Sequence, residues 1–151
     1  MFRFGCDRTD LVTRSRNGRL IWTCRTCKKP IANRTGHVCV DWGAAIRASR
    51  AADDRKWAHR KQVEETGNPV RHVTEEDMLR WRIVPWEAFH ESCDPNPDRD
   101  DYWFPVDACR SLAEFIDWSA HLSEKNWLAH TDWQKVMYAL NGADALRGAD
   151  R

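Results

Sequence analysis

Two short motifs hold residues able to grip a metal ion: Cys24-Arg25-Thr26-Cys27 and His90-Glu91-Ser92-Cys93. In each, two soft donors are separated by two residues, so both reach one cation from a tight turn while turn amides donate to the sulfurs. Together they make a Cys₃His set, which suits tetrahedral zinc and leaves no coordination position for a substrate. The expected cofactor is therefore a structural Zn²⁺ that contributes directly to folding. His37 and Cys39 compete for the role of second pair: on a strand their side chains share a face, and they could chelate in place of His90 and Cys93. Cys6 and Cys109 lack a partner at ligand spacing and read as structural thiols.

These donors need elements that bring them together. Leu20-Ile21-Trp22-Thr23 and His37-Val38-Cys39-Val40-Asp41-Trp42 have strand composition, with the Cys24 turn, Pro30 and the polar run Asn33-Arg34-Thr35-Gly36 between them. This predicts a β-hairpin carrying a metal-binding knuckle. Residues 43–67 predict a helix stopped by Gly67 and Pro69. Its apolar stripe is thin, and its bases are spread around the axis, so an exposed, charged helical insertion is expected. Thr74-Glu75-Glu76-Asp77 opens a helical turn, Trp81-Arg82-Ile83-Val84 is a strand candidate, and residues 94–101 form an acidic, proline-containing loop. Tyr102-Trp103-Phe104-Pro105-Val106 is again strand-like.

The C-terminal third is the most legible. Ser111-Leu112-Ala113-Glu114 is a capping box, followed by Leu112, Phe115, Ile116, Ser119 and Leu122 at helical spacing. Thr131-Asp132-Trp133-Gln134 predicts a second box, with Trp133, Val136, Met137 and Leu140 as the buried stripe and Asn141-Gly142 as the stop. The fold class is α+β: a small antiparallel sheet with a zinc knuckle, a charged helical insertion and two C-terminal amphipathic helices. The expected division is a flexible basic arm over 1–17, one domain over 18–142 and a frayed tail over 143–151.

The 151 residues fit one domain, and nine tryptophans with five phenylalanines supply its core. No apolar run approaches the ~20 residues a membrane helix needs, and Met1-Phe2-Arg3-Phe4-Gly5-Cys6 lacks the apolar stretch of a leader. A cytoplasmic protein without a membrane partner is expected, in which paired cysteines bind metal and do not form disulfides. The net charge of +1 conceals an asymmetry: residues 1–72 hold 16 Lys/Arg against 7 Asp/Glu, and residues 73–151 hold 8 against 16. Such polarity fits a nucleic-acid-facing end or two halves that attract each other.

The pattern of Cys24, Cys27, Pro30, Ile31 and Gly36, then His90 and Cys93, resembles the first zinc module of LIM-type and other treble-clef or zinc-ribbon domains. The 62 residues between Cys27 and His90 far exceed the LIM spacing, which makes the basic helix an insertion within the module. The tail run from Trp118-Ser119-Ala120-His121-Leu122 through Trp127 to Thr131-Asp132-Trp133 is similar to small zinc-knuckle proteins of high-GC bacteria and their phages. That resemblance spans about residues 20–140 and implies no known activity.

Catalysis is not expected. No phosphate-binding glycine loop, H-E-x-x-H or deaminase zinc motif is present, and His59, His72 and His130 are too scattered to nominate. The acidic loop lacks the glycine and terminal Glu of a calcium-binding hand. The expected function is a zinc-stabilised protein-interaction module, a regulator or adaptor acting through the inserted helix or a surface of Trp118, His121, Lys125 and Trp127. The alternative is a small DNA- or RNA-binding regulator, with Arg25, Lys28 and Lys29 on the knuckle and Arg47, Arg50, Lys56, Arg60 and Lys61 on the helix neutralising phosphates.

Overall fold

The computed structural model describes residues 11–70 and 83–148. Residues 11–17, expected in a flexible arm, instead enter the fold: β1 (Val12–Arg14) runs antiparallel to β2 (Leu20–Trp22), with Val12 opposite Trp22. Leu11 and Val12 are both buried, and that burial outweighs the pull of the flanking arginines towards water. Residues 1–10 of the expected arm lie outside the described residues. Gly18 closes the turn in the left-handed region at φ +83°.

The predicted hairpin between residues 20–23 and 37–42 does not form. β3 (Gly36–Val40) is the centre of a separate antiparallel sheet of order β4-β3-β5, with β4 at Trp86–His90 and β5 at Tyr102–Pro105. Alternation is the reason. Val38 and Val40 lie opposite Ala88 and Trp86 on one side, and Val38 lies opposite Phe104 on the other, giving one continuous buried apolar face. β2 is held elsewhere: the Leu20 N–H donates to the Arg110 carbonyl at 2.8 Å. Of the strand expected at residues 81–84, only Ile83 and Val84 are among the described residues. Val84 makes only an isolated parallel bridge to Thr131, and the ladder begins at Trp86. Residues 81–82 and the turn expected at 74–77 lie outside the described residues.

α1 (Trp42–Thr66) starts at Asp41, whose side chain accepts from the Ala44 N–H, and ends at Gly67 with φ +67°. Only Ala45 and Ser49 of its 25 residues are buried, as its thin apolar stripe requires. α2 (Leu112–Ser123) has the predicted capping box: Ser111 accepts from the Glu114 N–H, and the Glu114 carboxylate accepts from the Ser111 N–H. That carboxylate also accepts from the Arg110 N–H at 2.6 Å, and these amides hold its pKa below the usual range.

α3 (Trp133–Gly148) departs from expectation at both ends. The second capping box is absent: the Thr131 hydroxyl donates to the Leu128 carbonyl, and Gln134 turns to Tyr138. Thr131 and Asp132 also serve β4, with Thr131 accepting from the Trp86 indole at 3.0 Å and Asp132 from the Trp86 amide at 2.8 Å. At the other end the helix runs through Asn141-Gly142 to Gly148, since a glycine lowers helix propensity without enforcing a stop. The stripes are also narrower than expected. Phe115, Leu122, Trp133, Val136 and Leu140 are buried, whereas Ile116 is 59% and Met137 43% exposed.

Aromatic rings join these layers. Phe104 stacks on Trp118 at 4.6 Å, Phe115 stacks on Trp133 at 5.1 Å, and Trp86 meets Trp133 edge-on at 4.9 Å. One glycine is sterically obligatory. A Cβ at Gly36 would collide with the Phe89 carbonyl oxygen and lie 2.6 Å from Ile31 Cγ2, where the knuckle meets β4. Gly36→Ala should therefore cost roughly 1–3 kcal/mol, measured as a lowered denaturant midpoint, whereas Gly142→Ala, with nothing within 4 Å, should not destabilise.

Candidate metal centre

The knuckle is a reversal between two short antiparallel segments. Thr23 bridges Pro30, the Ile31 N–H donates to Trp22 and the Cys24 N–H donates to Lys29. Lys28 adopts φ +62° and its N–H returns to the Cys24 carbonyl, so the chain turns within the motif. The Arg25 N–H donates to the Ala88 carbonyl at 2.8 Å, which stitches the knuckle to β4 two residues before His90. Beyond His90 a 3₁₀ turn over Glu91–Cys93 bends the chain back, and the Thr26 hydroxyl donates to the Cys93 carbonyl at 2.9 Å.

These constraints bring the donor atoms of Cys24, Cys27, His90 and Cys93 within 4.8 Å of one another. Metal–sulfur bonds of about 2.3 Å and metal–nitrogen bonds of about 2.1 Å give tetrahedron edges of roughly 3.6–3.8 Å, so the cluster has the size of a zinc-type site. His90 is oriented for ligation. Its Nδ1 lies 3.3 Å from Cys27 Sγ, and its Nε2 lies 3.3 Å from the Pro30 carbonyl oxygen. A proton on Nε2 donated to that carbonyl leaves the Nδ1 lone pair for a cation.

The thiols respond to their crowding. Burial pushes Cys24 up, but the amides of Cys27, His90 and Thr26, with the His90 side chain, outweigh it and bring the thiol down to about 6. Cys93 moves the other way, raised by desolvation and then by Cys24 and Cys27. One thiolate is stabilised while its neighbour resists a second negative charge. A divalent cation removes that conflict, because it deprotonates coordinating thiols and neutralises them together.

The alternative pair lies elsewhere. His37 Nε2 meets Asp94 Oδ2 at 3.0 Å, and Cys39 is buried, its thiol pushed up to about 12 chiefly by desolvation. Both project from the face of β3 opposite Val38, which is why shared strand parity alone did not bring them to the cluster. Cys109 is also buried and apart from it.

Of the residues expected on a partner surface, Trp127 is only 4% exposed and packs on Tyr102 at 5.2 Å. Trp118 is half-buried on Phe104, and its indole donates to the Ala108 carbonyl. His121 is exposed and hydrogen-bonds Tyr102, and Lys125 is half-buried, so these four residues do not form an open aromatic patch. Among the bases expected to meet phosphate, Arg25 is 3.9 Å from Glu87, while Lys28 and Lys29 are exposed on the knuckle. Arg47, Arg50, Lys56, Arg60 and Lys61 are exposed on α1, but Asp53, Asp54, Glu64 and Glu65 are exposed there too, and Lys61 pairs with Glu65. The helix surface is mixed in sign.

Sequence reasoning missed the groups that aim the ligands. Thr26 lies inside the first motif and its hydroxyl was a readable signal, whereas the Pro30 carbonyl is a backbone atom that no residue type announces. Compared with protein-family models, curated proteins and solved structures, the chain matches none. Metal analysis of the purified protein should find a single thiophilic metal equivalent. Cys93→Ser should lose it, while Cys39→Ser and Cys109→Ser should retain it; full retention in Cys93→Ser would exclude this ligand set.

Proposed function

We propose that the protein is a zinc-stabilised protein-interaction module whose docking element is the inserted helix α1. The bound ion is Zn²⁺, held by Cys24, Cys27, His90 and Cys93, and its role is structural because four protein donors complete the tetrahedron. The metal secures the base from which α1 projects: Cys27 precedes that helix in the chain and His90 follows it.

One observation carries the reading. Trp57 is 64% exposed in the middle of a helix that buries only Ala45 and Ser49. A large aromatic ring flanked by charges of both signs matches the aromatic anchors that dominate protein interfaces. Lys61 lies 5.5 Å from the ring centroid, a cation–π contact that restrains the indole at the surface. The mixed charge of α1 argues against phosphate as its main target, since the neighbouring carboxylates would be repelled by a nucleic-acid backbone.

The test is capture of partners from a lysate of the source cells on zinc-loaded protein, with nuclease treatment and a salt series. A specific protein should survive nuclease and moderate salt, and Trp57→Ala should lower its recovery by roughly ten-fold while retaining zinc and helicity. Recovery of nucleic acid alone, falling steeply with salt, would overturn the reading in favour of a phosphate-binding regulator.

A further inference from the structure

The second face of the three-stranded sheet carries a trough that none of the preceding roles uses. β3 and β5 present His37, Cys39 and Trp103 on this face, with Cys39 directly opposite Trp103. The loop after Cys93 walls off a cavity of about 550 Å³ over His37 and Trp103. A second cavity of about 610 Å³ runs along Ala44, Ala48 and Ala51 of α1 and is faced by Ile83. Cys39 and Arg99 line both, so the two cavities adjoin and together make a trough, its first part polar and its second part apolar along α1 and Ile83 with Asp41, Arg47 and Glu87 also in its lining.

Its polar part is acidic: four carboxylates (Glu91, Asp94, Asp100 and Asp101) line it against two bases, Arg34 and Arg99. Arg99 is already committed to Asp101 through bonds of 2.6 and 2.7 Å, and Asp94 is engaged by His37 at 3.0 Å. The other two carboxylates, Glu91 and Asp100, are exposed at the cavity, whose lining also holds Arg34.

The second observation is Trp103. It is 61% exposed on a strand whose other side is core, and its ring meets His37 edge-on at 6.1 Å, so it is held in place at the cavity. An indole left open to water beside an excess of carboxylates suits a guanidinium or alkylammonium group, which gains from the ring's quadrupole and from charge-assisted hydrogen bonds. An anion would be repelled by the carboxylates. The adjoining cavity, with Ile83 50% exposed beside Ala44, Ala48 and Ala51, suits an apolar side chain next to that cation.

We propose that this trough receives an extended segment of a partner protein, with a basic side chain in the cavity lined by Trp103, Glu91 and Asp100 and an apolar side chain against α1. The proposal rests on the protein-interaction reading and gives that partner a chemistry: a solvent-accessible segment with an arginine or lysine beside an aliphatic residue.

The test is titration of ¹⁵N-labelled, zinc-loaded protein with three blocked peptides that share a leucine and differ in having arginine, neutral citrulline or glutamate beside it. The arginine peptide should produce a saturable shift of the Trp103 indole resonance, identified by its loss in Trp103→Phe. Citrulline should bind roughly ten-fold more weakly and glutamate not at all. Asp100→Asn should weaken the arginine peptide several-fold with zinc content unchanged. Equal binding of arginine and citrulline, or no saturable shift, would overturn the proposal. Partner capture through Trp57 alongside blank titrations would sink the trough alone. Peptide binding without any captured protein would sink the interaction reading and leave the trough a cation site.

Discussion

Three sulfurs and an imidazole nitrogen must meet within 4.8 Å, and two of the four donors come from the far side of a long helix. That requirement sets the path of the chain between them. The chain leaves the knuckle after Cys27, forms the central strand β3 and then α1, and β4 delivers His90 beside the starting point. Closing so long a loop is entropically unfavourable, and a metal ion that binds only the closed arrangement offsets that cost. The Gly36 crossing follows from the same demand. His90 lies opposite Gly36 in the β3–β4 register, and only a residue without a Cβ lets the knuckle, β3 and β4 approach so closely.

The core is rich in tryptophan. Among the described residues, two short sheets and three α-helices offer little aliphatic depth, and large rings span the gaps between layers. Each of four packed indoles also finds an acceptor: Trp22 donates to the Cys109 carbonyl, Trp86 to Thr131, Trp118 to the Ala108 carbonyl and Trp133 to Ser119. These bonds fix the layers in register as well as filling them, because a buried N–H left without a partner costs about 1–3 kcal/mol. Arg110 does similar work at the rim, donating to the Ile31 carbonyl and to Asn33 and so tying the knuckle's return segment to the start of α2.

Among the described residues, Arg25 with Glu87 and His37 with Asp94 link the basic half to the acidic half. The bases of α1 stand among carboxylates of the same helix, and the acids of the loop after Cys93 gather over the sheet's second face. Exposed aromatic rings mark both regions, Trp57 on the helix and Trp103 in the trough.

Much of this was legible in the residues themselves. The α+β class, the bounds of α1 with its terminal glycine, the Ser111–Glu114 box and the strand at 102–105 follow from short-range signals: cap chemistry, period and turn composition. The pairing of two C-x₂-C-like motifs as a donor set follows from ligand chemistry, which is also local within each pair. What only tertiary structure decided was partnership. Strand composition at residues 20–22 did not say that β1 and Arg110 would flank it, since main-chain edges are alike and the choice lies in which apolar faces match. Thr131 and Asp132 read as a helix start because their chemistry is that of caps, yet their oxygens were taken by the backbone and indole of Trp86. Trp127 and Trp103 have the same side chain, and nothing local distinguishes them. One is covered by Tyr102 and Trp86 and the other lies open, because burial is a property of what the rest of the chain brings alongside.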